Sequence, residues 1–109
     1  VADFLNRKYG EGTVKLTLRD QYYNMRGMVE PHPQVIAKAE QAMRMAGVEP
    51  LVKPIRGGTD GSRLSYMGLP CPNLFTGGMN FHGKYEYASL DTMKKAMQTV
   101  VNLAGLWAE

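Results

Sequence analysis

Asn73-Leu74-Phe75-Thr76-Gly77-Gly78-Met79-Asn80-Phe81-His82-Gly83 runs from a short apolar segment into a glycine-rich loop, and Ser89 then opens a long amphipathic stretch. Residues 73–76, led in by Pro70-Cys71-Pro72, read as a buried strand. Ser89 reads as the cap of a helix whose apolar face is Leu90, Met93, Met97, Val100 and Ala104. The same grammar occurs once upstream. Residues 49–55 form a short apolar strand limited by Pro50 and Pro54. Asp60 then caps a short helix that carries Leu64 and Met67 and is stopped by Gly68. Before that, Pro33 suits the first turn of a helix with the stripe Val35, Ile36, Ala39, Met43 and Ala46, closed by Gly47. Helix, strand, helix, strand, helix at this spacing predicts right-handed crossovers and an α/β layer over residues 33–106 with a short pair of parallel strands. Two strands do not make a doubly covered sheet, so the rest of that sheet is expected from outside this sequence.

The N-terminal third follows a different pattern. Val1, Phe4, Leu5 and Tyr9 share one helical face, with Gly10 as the stop. Val14, Leu16 and Leu18 alternate with Lys15, Thr17 and Arg19, which predicts a half-buried strand continuing to about Tyr23. Residues 24–31 lose periodicity and lead into Pro31-His32-Pro33. The expectation is therefore a helix-strand arm over 1–23, a hinge over 24–31 and the α/β layer over 32–109. The chain opens at Val1 inside a helical pattern, and we expect a piece cut from a longer protein.

Composition sets outer limits. A length of 109 residues is enough for one domain with a modest core. Apolar content of 44% and charged content of 21% are ordinary for a globular protein. No apolar run approaches the ~20 residues of a membrane span, and the first residues have no signal-peptide pattern. Cys71 is the single cysteine, which excludes an internal disulfide and suits a reducing cytoplasm. The net charge is +3, and the 13 lysines and arginines are scattered rather than striped. That argues against nucleic acid as a partner.

Two loops carry residues able to do chemistry. His82 sits among Gly77, Gly78 and Gly83, where the backbone can approach a site closely. A neutral imidazole after a strand C-terminus is a zinc-ligand candidate, and Glu86 is placed to orient it from behind. A loop histidine bonded to backbone, with Glu86 as an ordinary helix-side carboxylate, is the plainer alternative. In the second loop, the consecutive amides of Gly57, Gly58 and Thr59, with Asp60 at a helix start, make a concavity suited to anions. Arg56 adds a planar fork for a carboxylate. The plainer alternative there is a tight strand-to-helix turn. His32 reads as an exposed helix-start residue, Cys71 as a buried small residue, and the eight methionines as core filling.

Three ordered motifs carry a family resemblance across essentially the whole chain. They are residues 54–61 (Pro-Ile-Arg-Gly-Gly-Thr-Asp-Gly), residues 67–78 (Met-Gly-Leu-Pro-Cys-Pro-Asn-Leu-Phe-Thr-Gly-Gly) and residues 80–87 (Asn-Phe-His-Gly-Lys-Tyr-Glu-Tyr). Together they resemble the C-terminal end of the tripeptide aminopeptidases in the two-zinc metallopeptidase family, which also holds carboxypeptidase G and the succinyl-diaminopimelate desuccinylases. The resemblance implies a fragment of a catalytic domain, with residues 1–23 as the tail of a lid or dimerisation domain that returns near Tyr22-Tyr23-Asn24-Met25. It implies His82 as a zinc ligand, and substrate contacts from Arg56, Gly57, Gly58, Thr59, Asp60 and Asn80. In the family a bridging water attacks the scissile carbonyl and a glutamate acts as general base. The other histidine, the bridging aspartate, the base and the remaining carboxylates lie upstream and have no counterpart here. The implied activity is a cytoplasmic release of the N-terminal residue from tripeptides by a longer parent. The isolated chain is expected to be inactive, to bind zinc weakly and to self-associate through unpaired strand edges. A stand-alone binding domain on a peptidase-derived scaffold is the alternative.

Overall fold

Helix starts and stops are written in the sequence and appear where the side chains dictate. The computed structural model describes residues 1–108. Its elements are α1 (Ala2–Tyr9), α2 (Arg26–Val29), α3 (Pro33–Met45), α4 (Asp60–Tyr66), β1 (Gly78–Met79), β2 (Tyr87–Ala88) and α5 (Leu90–Ala108). Pro33 occupies the first turn of α3, and His32 before it is exposed and bonds nothing as a cap. At the other end Gly47 takes φ +68, so its N–H reaches the Arg44 carbonyl while the Val48 N–H reaches that of Met43. This double closure satisfies carbonyls the helix leaves open, and Gly68 with Leu69 repeats it after α4.

The antiparallel pair α3 and α5 is the main packing unit. Asn102 Nδ2 donates to the Ala42 carbonyl at 3.2 Å. Lys95 Nζ reaches the Gly47 carbonyl, and Lys38 Nζ donates to that of Leu106 while lying over the Trp107 ring. Ala39, Ala42 and Thr99 are buried at this crossing, so small side chains bring the helices close. Thr99 satisfies its hydroxyl on the Lys95 carbonyl at 2.9 Å. Ala39 belongs to the expected stripe of α3; Ala42 and Thr99 do not.

The stripe expected on α5 turns the other way. Leu90, Met93, Met97 and Val100 are all exposed, whereas Ala96, Thr99, Asn102, Leu103 and Leu106 lie toward α3. On α4 the expected Leu64 and Met67 are likewise exposed, and Gly61, Ser62 and Ser65 are buried instead. Apolar stripes need a surface to bury against, and the chain does not supply one for these two.

The sheet is smaller than the periodicity suggests and of the opposite sense. β1 and β2 pair antiparallel, Gly78 with Ala88 and Met79 with Tyr87, closing the loop around His82. The expected parallel pair does not form: 49–55 and 73–76 belong to no strand. Residues 14–23 are also unpaired, with Leu16 64% and Leu18 82% exposed. Strand patterns describe a willingness to pair, and pairing requires a second edge at the right place. Segment 24–31, expected as a hinge, contains the single turn of α2, whose Val29 is buried.

Within segment 1–23, one side chain joins α1 to the residues that follow it. Asn6 in α1 accepts the Val14 N–H at 2.8 Å and donates to the Val14 carbonyl at 3.1 Å, reproducing the two bonds of a strand neighbour. No residue of α1 is buried. The molecule measures 64 × 36 × 17 Å with a radius of gyration of 19.8 Å, against about 13 Å for a compact chain of this length. Among the described residues, Val29, Ala39 and Ala42 are the buried apolar ones.

Candidate functional site

The histidine loop is organised by its own backbone. Gly77 has φ +98 and sits so close to the start of α5 that a Cβ there would lie 2.8 Å from the Met93 nitrogen. Its carbonyl accepts the Ser89 N–H, and Ser89 Oγ accepts the Thr92 N–H, so strand end, loop closure and helix cap share one junction. Within the loop, Asn80 (φ 55) and His82 (φ 64) are both left-handed, a conformation that costs non-glycine residues about 1–2 kcal/mol each. Three bonds hold them there. The Asn80 carbonyl accepts from Gly83 N–H at 3.0 Å, Asn80 Nδ2 donates to the Tyr85 carbonyl at 3.3 Å, and the His82 N–H donates to Glu86 Oε2 at 2.8 Å.

Glu86 therefore meets His82 through the main chain. The sequence suggested that it orients the imidazole, but its carboxylate is on the amide. The ring is exposed and makes no hydrogen bond among the described residues, which leaves its nitrogens open to a metal. The described residues hold no group of three or more His, Cys, Asp and Glu placed to share an ion. His82 is the histidine of this loop, and its ring is exposed.

The second loop is tied to the arm and to the segment before β1. Thr59, not Asp60, is the N-cap of α4: its Oγ1 accepts the Ser62 N–H at 3.2 Å and also takes a hydrogen bond from Asn73 Nδ2 at 3.2 Å. Threonine and aspartate are both good caps, and the extended Thr59 backbone (φ −134, ψ 161) places the helix entry one residue earlier. Ser62 Oγ donates to the Tyr23 carbonyl at 2.6 Å, and Tyr66 OH donates to that of Asn24 at 3.1 Å. The Tyr23 and Tyr66 rings pack with centroids 5.7 Å apart. Ser65, fully buried, donates to the Gly61 carbonyl and accepts the Cys71 N–H at 2.9 Å. Cys71 is half-buried rather than buried.

These ties form an open cleft lined by Gln21, Tyr22, Gly58, Thr59, Asp60, Gly61, Arg63 and Asn73. Of the expected substrate residues, Gly58, Thr59 and Asp60 line it; Arg56 and Gly57 do not, and Asn80 lies on the histidine loop. Sequence reasoning missed Tyr22, Arg63 and Asn73. A signal for Arg63 was present, since it falls one turn after Asp60 on α4, but Tyr22 and Asn73 arrive by tertiary contact. A Cβ on Gly58 would sit 2.4 Å from the Tyr22 ring, which explains a glycine there without any anion. A second shallow depression, lined by Thr76, Gly78, Phe81, Glu86, Tyr87, Ala88 and Met93, shares no residue with the first. No helix among the described residues is long and apolar enough to cross a membrane.

Residues 8–105 match Peptidase family M20/M25/M40, and the chain belongs to that family of peptidases. Among its relatives, Peptidase T of Clostridium perfringens (strain SM101 / Type A) is 58% identical over all 109 residues. Peptidase T of Caldanaerobacter subterraneus subsp. tengcongensis is 57% identical over the same span. That of Bacillus velezensis is 58% identical over 108 residues, 99% of this chain. The chain spans 26–27% of the length of these relatives.

Proposed function

We propose that this chain works as the C-terminal part of a longer two-zinc tripeptide aminopeptidase, a cytoplasmic enzyme that releases the N-terminal residue of tripeptides. The observation that carries this reading is the identity of 57–58% to Peptidase T sequences along the whole chain. In this reading residues 1–23 are the tail of the lid domain, 24–31 the hinge and 32–109 the end of the catalytic domain. His82 would hold one zinc ion, its exposed ring presented by the braced loop. Zinc in such a site lowers the pKa of bound water and polarises the scissile carbonyl.

The chain's own residues contribute binding and orientation. The Arg56–Asp60 turn offers a cation and a glycine-rich backbone to the carboxylate end of a short peptide, and Arg63 on the cleft wall adds a second cation. Asn80 stiffens the loop that carries His82 through its bond to Tyr85. The bridging aspartate, the first histidine and the glutamate base come from outside these residues, so the isolated chain is inactive.

Zinc takes three or four protein ligands in sites of this kind. Calorimetric titration of the isolated chain with zinc should accordingly show no tight stoichiometric binding, and tripeptides should survive incubation with it. In the complete protein, His82→Ala should remove most hydrolysis of tripeptides. Full activity in that variant, or tight zinc binding by the isolated chain, would overturn the assignment.

A further inference from the structure

We propose that Glu86 is a positioning residue that sets the orientation of His82 through the main chain, by holding the loop in its left-handed conformation rather than by touching the imidazole. The proposal rests on the reading of His82 as a zinc ligand. Its basis is the 2.8 Å bond from the His82 N–H to Glu86 Oε2, four residues away across a loop rather than along a helix. The Glu86 main chain is itself held, because its N–H donates to the Gly83 carbonyl at 3.1 Å. The β1–β2 pairs clamp the loop at both ends.

Between those clamps, Asn80 and His82, on either side of Phe81, take φ of 55° and 64°. A side-chain oxygen accepting from the amide at His82 is the contact that distinguishes this loop from an ordinary turn. Occupying the carboxylate with the backbone leaves both ring nitrogens available. The direction of the Cα–Cβ bond at 82, and with it the place the ring reaches, is then decided by Glu86. In the ordinary arrangement an outer carboxylate takes the second ring N–H; here the same residue type acts one bond further back.

The test uses the complete protein carrying this sequence, with Glu86→Ala, Glu86→Gln and the reference variant His82→Ala. Zinc affinity is read by competition with a chromophoric chelator, and deuterium exchange over residues 80–86 is read on the metal-free protein. Glu86→Ala should weaken zinc by about 10–100-fold, the usual effect of losing an orienting partner, and should speed exchange of the His82 amide. Glu86→Gln keeps an oxygen that accepts the same N–H, so it should recover most of the affinity and most of the protection. Equal damage from Gln and Ala would show that the charge acts on the metal or the ring, and would overturn the proposal. Unchanged affinity and exchange in Glu86→Ala would overturn it as well. If His82→Ala leaves zinc affinity intact, the reading of His82 as a ligand fails, while the exchange measurement still decides whether Glu86 holds the loop.

Discussion

Thr59 caps α4 at the end of the Arg56–Asp60 turn, and Ser65 ties α4 to the Cys71 segment that follows it, both by side-chain oxygens. Ser65→Ala would leave the part-buried Cys71 N–H without its 2.9 Å acceptor, the fully buried Ser65 hydroxyl. That should cost about 1–3 kcal/mol. Thr59→Ala removes the α4 cap and the Asn73 contact and should cost about 1 kcal/mol, with Thr59→Ser recovering most of it. Thermal unfolding of the complete protein measures both. A loss at Thr59 larger than at Ser65 would mean the turn is tensioned from the Asn73 side. In the proposed tripeptide aminopeptidase, where Arg56 is assigned a contact to the peptide, Arg56→Ala should raise KM for tripeptides with kcat little changed, the signature of lost uniform binding. At this scale the sequence was legible wherever one residue decides the matter: the glycine stops, Pro33, the Ser89 cap and the histidine loop. It misled by one residue at Asp60, because the choice between two competent caps depends on backbone angles set by Tyr23 and Asn73.

α5 shows two faces that composition alone does not rank. The face with Thr99 and Asn102 meets α3, and the richer face with Leu90, Met93, Met97 and Val100 meets solvent. A helix apolar on most sides belongs between two layers. In the proposed full-length enzyme that outer face would lie on the remainder of the catalytic domain's sheet. Met97→Glu should therefore be nearly silent in the isolated chain, where Met97 is 63% exposed, and should destabilise the complete protein by several kcal/mol. Similar small shifts in melting temperature for both would count against a covering layer. The strand segments 14–23, 49–55 and 73–76 illustrate the same point. Their alternation and apolar runs are real, but a ladder needs a neighbour, and none of the three finds one.

The whole molecule is elongated, with a radius of gyration of 19.8 Å, and among the described residues Val29, Ala39 and Ala42 are the buried apolar ones. Leu51, Val52, Ile55, Met67 and Trp107 are among the many large apolar side chains left exposed. Contiguous apolar surface and open strand edges recruit other chains. The isolated chain should sediment as a species larger than a monomer, with the distribution shifting upward with concentration. A clean monomer at high concentration would be decisive against this expectation.

Local chemistry and global packing divided the work along a clear line. The three motifs, the helix boundaries at Gly10, Gly47 and Gly68, and the family were all determined by the sequence, because each depends on side chains within a few residues of one another. The antiparallel sense of the short sheet, the inward turn of Thr99 and the arrival of Tyr22 and Asn73 at the Thr59 cleft were decided by tertiary structure. So was the placement of Glu86 on the His82 amide. These depend on which surfaces meet, and a side-chain pattern prepares a surface for burial without naming the partner that covers it.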